Sequence, residues 1–90
     1  MASELKCKTI QIAVAGTPTQ AETALTFARR LKLHNPGANT GLIFFGGSDL
    51  SATKRASLVP GEWLTLEEIN LANFYVDVAV NNESVEIVIL

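Results

Sequence analysis

Residues 57–66, Ser-Leu-Val-Pro-Gly-Glu-Trp-Leu-Thr-Leu, interrupt an apolar run with Pro60-Gly61 and resume it with the only tryptophan of the chain, Trp63. Proline followed by glycine is the favoured central pair of a type II turn: the pyrrolidine ring fixes φ at the second position, and glycine accepts the positive φ required at the third. With Leu58 and Val59 on one side and Trp63, Leu64 and Leu66 on the other, the stretch reads as a corner between two strands. The competing reading, an active-site loop, has to be weighed against the rest of the chain.

Downstream, residues 67–74 read as one helical turn or a connection. Phe74, Val76, Val78 and Val80 then alternate with Tyr75, Asp77, Ala79 and Asn81, the two-residue period of a half-buried strand. Val85, Ile87 and Ile89 repeat the pattern, and Asn81-Asn82-Glu83-Ser84 between the two runs predicts a hairpin. Upstream, residues 48–57 read as a surface loop. Residues 42–47, Leu-Ile-Phe-Phe-Gly-Gly, suit a strand buried on both faces or covered by a neighbouring subunit. Asn35, Pro36, Gly37, Asn39 and Gly41 mark a chain reversal over 35–41. Two periods fit residues 19–34. As a helix, Thr19 would cap, Glu22 would close a capping box, and Ala21, Ala24, Leu25, Ala28 and Leu31 would share a face. The surrounding strands favour an extended 27–34 preceded by a loop or short helical turn over 19–26. Ile10, Ile12 and Val14 against Thr9, Gln11 and Ala13 give a strand over 5–14, ended by Gly16 and Pro18.

Six strand candidates within 90 residues, with no βαβ rhythm, internal repeat or linker, predict one all-β domain spanning 1–90. The expected architecture is a small antiparallel β-sandwich or jelly-roll-like barrel of about six strands, with residues 1–6 as a flexible N-terminal arm. The chain is 48% hydrophobic and 18% charged, with a mean hydropathy of +0.25. So short a domain buries only about 60–65% of its unfolded surface. Some apolar surface therefore stays outside and points to an interface. The net charge is −2 and the seven basic residues are scattered, which argues against nucleic-acid binding. No run approaches the roughly 18 apolar residues of a membrane span, and the first ten residues lack a secretion signal's apolar core. Together with the single cysteine, Cys7, these features lead to the expectation of a soluble product made in a reducing cytoplasm.

The residues offer little catalytic chemistry. His34, the only histidine, precedes the 35–41 reversal and reads as a strand-end side chain, with neither a nucleophile nor an orienting carboxylate in its sequence neighbourhood. Cys7 reads as an inert, half-buried thiol, since Lys6 and Lys8 would point to the opposite face of a strand. The acids Asp49, Glu62, Glu67, Glu68 and Asp77 are dispersed, and metal-ligand spacings are lacking. Glycines 37, 41, 46 and 47 form no phosphate-binding motif. No catalytic, cofactor-binding or metal-binding residue is therefore assigned. Phe44, Phe45, Trp63 and Tyr75 read as core or inter-subunit anchors, with an aromatic platform for a sugar as the alternative. The paired cations, Lys54-Arg55 and Arg29-Arg30, read first as serving solubility, with contact to an acidic protein neighbour as the alternative.

From Arg29 to Leu90 the chain resembles a pattern in small virion proteins of tailed bacteriophages. The residues that carry it are Arg-Arg-Leu-Lys-Leu at 29–33, Asn-Thr-Gly-Leu-Ile-Phe-Phe-Gly-Gly-Ser at 39–48, the corner Leu58-Val59-Pro60-Gly61-Glu62, and Asn73-Phe74-Tyr75-Val76 leading to a terminal strand. Residues 52–57, where the pattern usually holds a glycine, depart from it. The resemblance implies an all-β structural protein of a particle, with the Asn-Phe-Tyr-Val strand paired to the terminal one. The leading expectation is a non-enzymatic capsid decoration, or cement, protein in the virion. It would bind the major capsid protein as a homo-oligomer, expected as a trimer, with Phe44, Phe45, Lys54, Arg55, Trp63 and Tyr75 at interfaces. A tail, neck or fibre component is the alternative in the same class, and a carbohydrate-binding module the alternative in another.

Overall fold

The computed structural model describes residues 6–22 and 27–89. Eight strands follow in order: β1 Lys6–Ile12, β2 Thr19–Gln20, β3 Phe27–His34, β4 Ile43–Gly46, β5 Ala56–Leu58, β6 Trp63–Asn70, β7 Tyr75–Val78 and β8 Glu83–Ile89. A 3₁₀ turn, Leu71–Asn73, separates β6 from β7. The strands form two antiparallel four-stranded sheets, β1-β8-β3-β6 and β2-β7-β4-β5.

This order has a simple origin. Strand 4 pairs with 5, 3 with 6, 2 with 7 and 1 with 8, so the chain is a long two-stranded ribbon wound about itself, crossing from sheet to sheet at each corner. That is the topology of a jelly roll, which agrees with the expected all-β sandwich. Only β4 and β5 are joined within one sheet.

The inner faces follow from side-chain parity. In the first sheet Ile10 lies opposite Val85, Leu33 opposite Ile87 and Leu64, and Leu31 opposite Ile89 and Leu66. In the second, Ile43 lies opposite Leu58 and Val78, and Phe45 opposite Val76. These residues and Ile12, Ala21, Ala28, Leu71 and Phe74 make one core. Parity changes once, where Glu68 takes a positive φ of 54°. Before it, Leu64 and Leu66 face inward; after it, Ile69 does, matched on β3 by a change from Leu31 to Ala28. Arg29, which broke the alternation in the sequence, lies at this point.

The opening stretch is a corner, and a particular kind: it carries the chain from β5 in one sheet to β6 in the other. Glu62 N–H donates to Val59 C=O at 3.0 Å and Gly61 has a φ of 87°, as a type II turn requires. The side chain of Glu62 closes back on Val59 N–H at 3.0 Å. Beside it runs the 35–42 crossing, and Asn35, fully buried, joins the two. Its backbone N–H donates to Glu62 C=O (3.0 Å) and its C=O accepts from Gly61 N–H (2.7 Å). Its amide donates to Leu58 C=O (2.9 Å) and Gly41 C=O (3.1 Å) and accepts from Asn39 (2.8 Å).

Several expectations are corrected. Asn81-Asn82 does not close a hairpin, and the terminal strand does not pair with the Asn-Phe-Tyr-Val strand. β7 pairs with β2 and β4, and β8 with β1 and β3, so this turn too is a sheet crossing. Val14 and Val80 do not continue their alternations inward. Their strands end at Ile12 and Val78, and both residues are exposed on crossings. The first half of 67–74, residues 67–70, is strand rather than connection, and the helical turn is confined to 71–73. The loop over 48–57 ends in β5 and contains a bridge between Ser51 and Lys54. Lys6 opens β1; the rest of the expected arm, and 23–26 of the uncertain segment, lie outside the described residues.

The corner makes separable stability predictions. Asn35→Ala strands two buried carbonyls and an amide and should lower unfolding stability by about 3 kcal/mol or more. Gly61→Val forces a β-branched residue into positive φ, at a cost of about 1–3 kcal/mol. Trp63→Phe, at an exposed position, should stay within about 0.5 kcal/mol. Urea unfolding of the three variants checks the order; equal midpoints would contradict the corner's role.

Candidate functional site

The six residues expected at interfaces do not share one surface. Phe44 lies on the outer face of the second sheet, opposite Ser57 and Asp77, yet is buried because the Arg55 guanidinium lies 3.6 Å over its ring. The two-sided burial expected of this strand is thus supplied by the chain's own loop. Lys54 is exposed and 3.7 Å from Asp49. Phe45 faces inward, with its ring 6.3 Å from that of Phe74. Tyr75 is half-buried between Gln20 and Gly46. Trp63 stands apart, on the outer face of the other sheet.

Around Trp63 the structure assembles a cluster that sequence reasoning missed. His34 and Trp63 are cross-strand partners on β3 and β6, and their rings stack with centroids 3.8 Å apart at 11°. Glu86, the partner of His34 on β8, holds Nδ1 at 2.8 Å. Thr9 of β1 completes the row beyond Glu86. An orienting carboxylate does therefore stand beside His34, contrary to the expectation. It was invisible because residues 34 and 86 meet only once β3 pairs with β8. The histidine side chain is mostly buried, whereas Trp63 is 53% exposed. The cluster thus presents a large aromatic group in a fixed orientation, one face covered and the other directed beyond β6.

The remaining polar side chains mostly brace corners. Asp77, buried on the outer face of β7, accepts from Gly16 N–H at 3.1 Å and Val78 N–H at 2.8 Å. Asn81 accepts from Ala15 N–H at 2.8 Å. Lys8 points inward on β1 and binds Glu22 at 3.0 Å as well as Ala21 C=O. Lys6 and Lys8 do lie on the face opposite Cys7, but Cys7 is exposed rather than half-buried, because no element among the described residues covers the outer face of β1. Among the described residues, no three of His, Cys, Asp and Glu converge as metal ligands, and no buried side-chain nitrogen or oxygen lacks a hydrogen-bond partner.

Glu83, at the start of β8, receives Thr40 N–H (2.7 Å), Gly41 N–H (3.0 Å) and the Thr40 hydroxyl (3.1 Å). The Thr40 N–H bond is the main cause holding its carboxyl below the ordinary glutamate value; desolvation acts the other way, and the Gly41 N–H and Thr40 hydroxyl bonds add to the lowering. A carboxyl with a lower pKa folded than unfolded stabilises the fold above the unfolded value, and the contribution is lost as pH falls through the folded one. Glu83→Gln should therefore flatten the acid limb of the stability curve relative to the parent. Urea titrations across that range test it, and parallel acid limbs would refute the assignment.

Compared with family models, curated proteins and solved structures, the chain matches none of them.

Proposed function

We propose that this chain is a non-enzymatic structural protein of a virion, a decoration protein that binds the major capsid protein as a homo-oligomer. The observation that carries the reading is the imbalance of the sandwich. Strands of seven or eight residues make one sheet, while the other has strands of two to four. The large sheet overhangs the small one and leaves inward Leu64 and Leu66 half-buried, while Phe27 (72%) and Trp63 (53%) on its outer face and Val14 (60%) and Val59 (53%) on the crossings remain exposed. A small domain with this much apolar surface gains by association, at roughly 25 cal/mol per Å2 of apolar area removed from water before ordering costs. Jelly rolls serve in viral capsids and in lectins alike, which is support by fold analogy only. The resemblance of residues 29–90 favours the particle.

The fixed, half-exposed indole of Trp63 favours the second class, a sugar-binding module, because a pyranose stacks its C–H face on an indole. Glycan-array binding abolished by Trp63→Ala would select it. For the virion reading, the test is quantitative mass spectrometry of purified particles, with cosedimentation of the recombinant chain on assembled heads. A copy number comparable with that of the major shell protein is expected. A far lower number would select the tail, neck or fibre alternative, and absence from particles would overturn the reading.

A further inference from the structure

Each sheet of an open sandwich has two edges, and exposed edges pair with other strands unless something blocks them. Three of the four edges here carry protection. β2 and β5 have two and three residues. β1 carries Lys8, and Lys6 on the same face, pointing inward, where a neighbouring strand would have to desolvate them. β6 is the exception. It has eight residues, its inward Leu64 and Leu66 are only half-buried, and its outward Trp63 is exposed.

The backbone of this edge is also aligned for pairing. Asn35 N–H donates to Glu62 C=O, one of the two bonds of a hydrogen-bonded pair, the other being lost because Glu62 N–H closes the turn; this sets the phase, and antiparallel alternation along the register makes 33:64 and 31:66 bonded pairs. Trp63, Thr65 and Glu67 therefore turn their N–H and C=O groups away from β3, where they meet no backbone partner among the described residues. The same alternation explains why His34 and Trp63, a non-hydrogen-bonded pair with closely spaced side chains, can stack.

We infer that β6 is a homodimer interface, in which residues 63–67 pair antiparallel with the same residues of a second copy about a two-fold axis through Thr65. The sequence Trp-Leu-Thr-Leu-Glu is self-complementary in this register. Thr65 meets the partner's Thr65, Leu64 meets the partner's Leu66, and Trp63 meets the partner's Glu67. All three outward-turned residues are then in hydrogen-bonded pairs. Glu67, 3.6 Å from Arg30 in its own chain, is not opposed to the partner's Glu67. Neighbouring registers are poorer. An axis at 66 sets Leu64 against the partner's Glu68, whose positive φ breaks the strand, an axis at 67 opposes the two glutamates, and an axis at 64 or earlier draws the pairing into the corner at Pro60-Gly61. The large sheet becomes one eight-stranded sheet across the dimer, its half-covered leucines closed over at the seam. The unit so formed is two-fold, where the sequence reading expects a trimer.

The inference rests on the proposed function only for the statement that the chain works as a homo-oligomer, and the two can fail separately. Sedimentation velocity and light scattering on the full chain should show a concentration-dependent dimer of twice 9.7 kDa. Thr65→Pro removes an N–H that meets no partner among the described residues, and Thr65→Glu places two carboxylates on the axis while setting an opposite charge beside Lys32 of its own chain. Each should raise the dimer Kd by about tenfold or more with the circular dichroism of the fold unchanged. Cys7→Glu, exposed on the protected edge β1 opposite Val88, should leave Kd unchanged. A chain monomeric up to roughly 1 mM, an oligomer indifferent to both Thr65 variants, or one weakened equally by Cys7→Glu would overturn the β6 interface. Cosedimentation of such a chain with heads would leave the virion reading standing, whereas a Thr65-dependent dimer absent from particles would remove the virion reading and keep the interface.

Discussion

The constraint on which the rest of the structure depends is the burial of Asn35 between two strand crossings. A fully buried amide is tolerable only if its hydrogen-bonding groups are matched. Here the backbone N–H and C=O hold the 59–62 turn, both amide hydrogens hold carbonyls of Leu58 and Gly41, and the side-chain oxygen takes a hydrogen of Asn39. Asn39 passes the connection to β8 through Ser84 C=O at 2.7 Å. A hydrophobic residue could fill the same space but would leave these groups unbonded. The position thus specifies which two crossings lie side by side, and with them that β3 pairs with β6 while β4 pairs with β5.

The other corners use the same device with different residues. At the β1-to-β2 and β7-to-β8 crossings, Asn81 and Asp77 reach Ala15 and Gly16, and Gln11 reaches Asn82 C=O at 3.1 Å. At the opposite end Gln20 donates to Ala72 C=O, and Ala21 N–H to Phe74 C=O, while Asn70 caps the 3₁₀ turn. A ribbon that wraps itself has nearly all its pairings between residues far apart in sequence, so the loop-closure entropy of each pair must be met before the core rewards it. Polar side chains at the corners are suited to this, because they register two crossings locally once the ribbon has begun to bend.

How much of this was legible depends on the range of the signal. Turn chemistry at Pro60-Gly61 and 35–41, and parity at Ile10/Ile12, Val76/Val78 and Val85/Ile87, are local, and they located most strands and the all-β class. Which sheet each strand joins is not local. Asn81-Asn82 has the composition of a hairpin turn, and nothing within four residues says that it bridges two sheets; the positive φ of 67° at Asn82 would serve either. The pairing of His34 with Glu86 and Trp63 was hidden for the same reason, as it arises from three strands distant in sequence. Glu68 was unreadable in another way. A glutamate in the left-handed region is disfavoured by propensity, and only the switch from Leu66 to Ile69 at the core betrays the change of phase.

The two sheets divide the labour unequally. In this eight-stranded jelly roll the described residues spend their long strands on one sheet, and the crossings are made at the expense of the other. The core closes because Leu71, Phe74 and Ala21, from turns rather than strands, fill beneath the overhang. They do not reach all of β6, whose leucines stay half-covered and whose tryptophan is steadied from one side only, by His34. An isolated monomer would gain from a polar residue at 63 or a charge pointing inward from 64 or 66, as Lys8 points inward from β1. Among the described residues the β6 edge thus lacks the protection that the other three edges carry, and it is this asymmetry between β1 and β6 from which the proposed association is argued.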